Sequence, residues 1–199
     1  MRRKHGFTLV ELLVGMAVLG VVLLAVVQFA AGSWRNYRAA VRLIERSQIE
    51  STARDVVVQE LGLAGYGLGL HGELPGATVE IGIGSGADRS DAFTVHYLEE
   101  RWLAEPQRRS ITIDVMRDSG GHSNLYRREE TATRQPAVQE VTNLKLVALY
   151  DDRGQQVLAH EPWPAMVSGL MLQISFSWDS ERLAFVSFGM PQPVARLPR

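Results

Sequence analysis

The chain has 199 residues, enough for one domain and an anchor, and 46% of them are hydrophobic. Its 21 Lys and Arg against 22 Asp and Glu leave a net charge of −1, so bulk charge gives no argument for a nucleic-acid partner. It has no cysteine, which excludes disulfides, cysteine–zinc sites and thiol nucleophiles.

From Phe7 to Ala31 there are 25 residues, and Glu11 is the only charge among them. A helix rising about 1.5 Å per residue crosses a hydrocarbon core of about 30 Å within that length. The run therefore predicts a membrane-spanning helix. Glu11 is the exception within it. A carboxylate one turn into such a helix costs several kcal/mol unless it is neutralised, partnered or near the interface. A secretory signal peptide is the local competitor, with Phe29-Ala-Ala-Gly-Ser33 as a weak cleavage site. Its apolar region should span only about 7–15 residues. This run is longer, and Glu11 lies inside it.

From Ser33 to Leu61 there is no proline. Val41, Ile44, Ile49, Ala53, Val56, Val57 and Leu61 fall near helical spacing, with charges on the other faces. The spacing predicts one helix over 7–61, about 80 Å long, whose second half packs on a globular head. Arg35, Arg38, Arg42 and Arg46 share a face. That stripe suits lipid head groups and solvent, or acidic groups on a neighbouring subunit.

Nine glycines between Gly62 and Gly86 oppose helix, which predicts a loop over 62–77. The remainder reads as strands: a weak one at 78–83, then 92–98, 110–116, a short 124–128, 141–150, 155–159, and a hairpin of 170–178 with 182–188. Ile174, Phe176 and Trp178 alternate onto one face. An antiparallel sheet with one dry face needs a cover, and the apolar stripe of the helix supplies it. The expected fold class is α+β, a long N-terminal helix packed on a C-terminal antiparallel sheet head.

Gly6-Phe7-Thr8-Leu9-Val10-Glu11, after a short basic leader and before an unbroken apolar run, resembles the class III signal of type IV pilins and pseudopilins. The resemblance implies cleavage by a prepilin peptidase between Gly6 and Phe7, N-methylation of Phe7, and Glu11 as the assembly glutamate that pairs with the N-terminal amine of another subunit. It implies a leader over 1–6, a transmembrane and assembly helix over 7–31, an amphipathic continuation over 32–61 and a head over 62–199. Loss of Arg2, Arg3 and Lys4 with the leader would take the side-chain charge from −1 to −4. Basic residues flank the span on both sides, so the positive-inside count is near a tie. The resemblance resolves it, with the leader in the cytoplasm and the head outside the inner membrane. Leu61-Gly-Leu-Ala-Gly-Tyr66, the 141–150 strand with its Asp-Asp turn, and Trp163 leading into 167–178 resemble PilW-type minor pilins and GspJ-type pseudopilins.

The resemblance implies a structural subunit that starts or caps a type IV pilus, with possible service in twitching motility, adhesion or DNA uptake. Its partners would be other minor pilins, the major pilin, the prepilin peptidase, the inner-membrane assembly platform and, before assembly, membrane lipid. A type II secretion pseudopilin and a membrane-anchored binding domain are the alternatives.

No enzyme, cofactor or metal site is expected. His5, His71, His96, His122 and His160 show no ligand spacing. Gly82-Ile-Gly-Ser-Gly86 lacks the spacing of a dinucleotide loop. Asp88 with Asp91, and Asp151 with Asp152, suit turns better than calcium loops. Arg108-Arg109 and Arg127-Arg128 could meet phosphates, but Glu129 and Glu130 weaken that, and solvated strand ends are the expectation.

Overall fold

A computed structural model describes residues 8–66, 77–84, 90–99, 107–130 and 132–197. The chain divides into two units, Met1–Ser47 and Gln48–Arg199. One helix, α1 (Leu9–Gly62), runs through both. Nine strands follow: β1 (Val79–Gly82), β2 (Ala92–Glu99), β3 (Gln107–Arg117), β4 (Ser123–Glu129), β5 (Gln135–Gln139), β6 (Val141–Asp151), β7 (Gln156–Leu158), β8 (Met166–Phe176) and β9 (Glu181–Arg196). The fold class is α+β, as expected.

In the first unit, the described part of α1 from Leu9 to Ala31 carries no charge but Glu11, and its side chains are exposed. In the second unit, α1 buries Ala53, Val57 and Leu61 completely. These lie four residues apart and so stack along one face. The expected stripe also included Val41 and Ile44. Ile44 is 58% exposed and Val41 lies in the first unit, so the buried stripe begins only at Ile49 and Glu50.

The strands form one sheet in the order β5-β4-β3-β2-β1-β9-β8-β6-β7. All neighbours are antiparallel except β1 and β9, which run parallel through Val79 and Val194. That pair departs from the wholly antiparallel expectation. It arises because β9 is far longer than the 182–188 strand the sequence suggests. Its first part pairs with β8, and its end pairs with β1. The sheet curls, so β6 approaches β3 and β4 despite their separation in strand order. Phe93, Ile111, Ile113, Leu125, Leu144, Leu170, Leu172 and Ile174 fill the inside against the α1 stripe.

Asp91 bridges the curl. Its amide donates to the Leu144 carbonyl at 2.8 Å, and its carboxylate accepts from the amides of Leu146 at 2.7 Å and Gly84 at 2.8 Å. A side chain thus occupies backbone groups on a stretch of β6 that β7 does not reach. Asp88, its suggested companion, lies outside the described residues.

Gly65 ends the helical segment with φ of 71°. Its amide donates to the His96 carbonyl, and the Leu98 amide donates to the Tyr66 carbonyl, both at 2.9 Å. A Cβ at Gly65 would overlap the buried Gln192 side chain. The Ala64-Gly65-Tyr66 stretch is therefore a joint between helix and sheet that needs glycine at its centre.

Candidate functional site

Gly6 and Phe7 lie outside the described residues. Structure begins beside them with Thr8 and Glu11. The Thr8 amide donates to Glu11 Oε2 at 2.9 Å, the Thr8 hydroxyl donates to the same oxygen at 3.0 Å, and the Glu11 amide donates to the Thr8 hydroxyl at 3.3 Å. This reciprocal arrangement is a capping box. It occupies donors that the first turn of any helix leaves open, and it places negative charge at the positive end of the helix dipole. Glu11 thus has a partner within its own chain.

Beyond it, α1 is long and apolar enough to cross a membrane, with a mean hydropathy of 2.8 over its most apolar window and none of that window buried. The apolar run ends in an aromatic and basic cluster. Trp34 stacks on Tyr37 with centroids 5.9 Å apart, and the Arg38 guanidinium lies 5.2 Å from the centre of the Trp34 ring. Aromatic rings and cations together suit the boundary between apolar and polar surroundings. Arg35, Arg42 and Arg46 are exposed on the same helix.

Farther along, two carboxylates on α1 engage the sheet, and neither is conspicuous in the sequence. Glu50 is 8% exposed. Its Oε1 accepts from Trp178 Nε1 at 3.0 Å and Ser180 Oγ at 2.7 Å. Its Oε2 accepts from Arg182 Nε at 2.7 Å and Nη2 at 2.6 Å. Burial alone would raise the Glu50 pKa, but the Ser180, Trp178 and Arg182 hydrogen bonds outweigh it and hold the carboxyl below its ordinary range. Trp178 is a turn residue rather than a strand residue, and it stacks on Phe176 at 5.3 Å. Glu60 accepts from Arg127 Nε at 2.8 Å, and Glu129 meets Arg127 Nη2 at 2.8 Å. The one readable signal was that Glu50 sits three residues before Ala53 on the apolar stripe, where a charge needs a partner.

Arg127 consequently faces inward on two carboxylates and is no solvated strand end. Burial works against its charge, yet Glu129 and Glu60 raise its pKa on balance. Arg109 Nε meets Glu99 Oε2 at 2.9 Å. Neither of these arginines offers its charge freely to a phosphate chain. Asp151 accepts from the amides of Arg153 at 3.0 Å and Gln155 at 2.7 Å, which is turn chemistry. His96 Nε2 lies 3.5 Å from Glu80 on the neighbouring strand. Among the described residues no three His, Cys, Asp or Glu side chains converge in a way that could hold a metal ion.

Residues 1–27 match the family model described as the prokaryotic N-terminal methylation motif. The matched stretch covers residues 1–6, Thr8, Glu11 and most of the apolar run. No curated protein matches the chain.

Proposed function

We propose, starting from a chain whose N-terminus carries the class III signal of type IV pilin-like proteins, that it is a structural minor pilin which helps start or cap a type IV pilus. The methylation motif over 1–27 is the observation that carries this reading. The role is mechanical rather than catalytic. Prepilin peptidase cuts after Gly6 and methylates the amine of Phe7. Residues 1–6 are lost, residues 7–31 hold the subunit in lipid and then in the fibre, residues 32–61 continue the helix, and residues 62–199 form a head outside the cytoplasm.

Glu11 supplies the register. Its carboxylate pairs with the new amine of a neighbouring subunit as the helices leave lipid. Away from water an unpaired charge is strongly penalised, so the pairing favours one position over its neighbours along the helix. The Thr8–Glu11 capping box supports a waiting state before that event. Cleavage after Gly6 leaves the Phe7–Thr8 peptide intact, so the amide that holds Glu11 survives processing. The carboxylate is thus partly satisfied within the monomer and then exchanges or shares its partners on assembly. The aromatic and basic residues from Trp34 to Arg46 would set how deep the monomer sits, and would meet acidic neighbours afterwards. The alternative fibre is the pseudopilus of a type II secretion system, which needs the same helix chemistry, and the partners are the other pilins, the peptidase and the assembly platform.

Co-expression with a prepilin peptidase tests the premise. Intact-mass analysis should show loss of Met1–Gly6 and one methyl group on Phe7. A product that still begins at Met1 beside an active peptidase overturns it.

A further inference from the structure

A cleft of about 580 Å³ opens on the head where the end of the β3–β4 hairpin comes near the start of β6 and the end of β8. Its size is that of an ordinary small-molecule site, which spans about 300–1,000 Å³. On one wall Arg117 and Ser123 are register partners across β3 and β4. On the other, Asn143 and Ser175 are partners across β6 and β8, with Thr142 beside them. The Ser90 hydroxyl accepts from the Leu144 amide at 2.8 Å and donates to Asn143 Oδ1 at 3.0 Å, which braces that wall.

The remaining polar groups are uncommitted. The side chains of Arg117, Ser123, Thr142 and Ser175 have no hydrogen-bond or ion-pair partner among the described residues. Four such groups converging on one concavity are ready for a ligand that brings its own donors and acceptors. No acidic side chain is among the described residues that line it, and the one cation is a guanidinium, whose fork matches a carboxylate. Val115 and Met116 add apolar surface against which the C–H face of a ring can pack.

We propose that this cleft binds a saccharide bearing a carboxylate, of the uronic-acid class. Hydroxyls from three strands meet the sugar hydroxyls, Arg117 takes the carboxylate, and Met116 supports the ring. A nucleic-acid strand fits less well, because its binding draws on several cations and on aromatic rings for stacking. Among the described residues, the lining shows one cation and no aromatic ring.

The test uses the full chain, unassembled in detergent micelles, so its outcome bears on the head and leaves the assembly reading untouched. A disaccharide containing glucuronate and its neutral glucose counterpart are titrated by calorimetry. The acidic sugar should bind about tenfold tighter, and Arg117→Gln should erase the difference, as expected for one charge-assisted fork. Thr142→Ala with Ser175→Ala should weaken both sugars, while Arg108→Gln, outside the cleft, should change neither. Each variant is checked for an unchanged melting temperature. No binding of either disaccharide, an unchanged preference in Arg117→Gln, or displacement of the sugar by a single-stranded oligonucleotide overturns the proposal.

Discussion

Two glutamates on the same helix show how far surroundings decide what a carboxylate is for. Glu11 stands on the exposed apolar stretch of α1 and, among the described residues, is held by Thr8, three residues away. Glu50 stands on the stripe that faces the sheet and is held by Trp178, Ser180 and Arg182, far along the chain. Glu50 has every partner its geometry allows, and its job is finished when the head folds. Glu11 has a local partner that leaves it open to a second one. Glu50 is thus the last bolt of a fold, and the proposed function makes Glu11 the first contact of an assembly.

That contrast can be broken at either end. The largest effect is expected at Glu11. Glu11→Ala should be cleaved and methylated normally and keep the melting temperature of the head, yet enter sheared filaments at least about 150-fold less than wild type, since a broken buried pair costs about 3 kcal/mol or more. Immunoblots of filament and membrane fractions read this directly, and normal incorporation would sink the pairing.

Leu61→Ala should do the reverse. It empties a fully buried position on the α1 stripe and should cost about 3 kcal/mol of head stability. For a unit of this size that is a drop of roughly 10 °C in melting temperature. Processing at the N-terminus should be unaffected.

Glu50→Ala should cost less, about 2 kcal/mol. It removes charge-assisted hydrogen bonds, but Arg182 is 57% exposed in its side chain and regains water. Urea unfolding monitored by tryptophan fluorescence measures it, with Trp178 beside the lesion.

The smallest effect concerns pH. The folded Glu50 pKa lies below the ordinary value, so its contribution is full above the unfolded pKa of about 4.3 and fades as pH falls through the folded value. Wild type should therefore exceed Glu50→Gln in stability at pH 7, and the gap should close in acid. A gap independent of pH between 7 and 3 would mean that charge plays no part in the lock.

Much of this was readable in the residues, and what was not has physical causes. The apolar run fixes α1 and isolates Glu11, because one charge among so many apolar side chains is conspicuous. β2 and β3 announce themselves by alternation, and β6 by a long apolar run. β5 did not, because Pro136 and two glutamines read as loop. It is an edge strand, and an edge tolerates a residue without an amide hydrogen. The far end of β9 was hidden by Gly189, Pro191 and Pro193, which look like breakers. There the Pro193 carbonyl accepts from Thr78 as the strand crosses from β8 to β1. The partners of Glu50 were illegible for another reason: they lie well over a hundred residues away, and no local pattern reports them. The cleft at Arg117 and Thr142 is likewise a product of sheet curl, invisible in any single strand.

The position of β9 has a consequence for biogenesis. It is the last strand in chain order, yet it sits in the middle of the sheet, joined to β8 on one side and β1 on the other. Arg182, at its start, also closes over Glu50. If the head lies outside the membrane, as the proposed function has it, the sheet cannot be completed there until β9 has followed the other strands across. Until then the two halves of the sheet lack the strand that joins them. On that proposed topology the strand that closes the sheet is the last of the nine to become available.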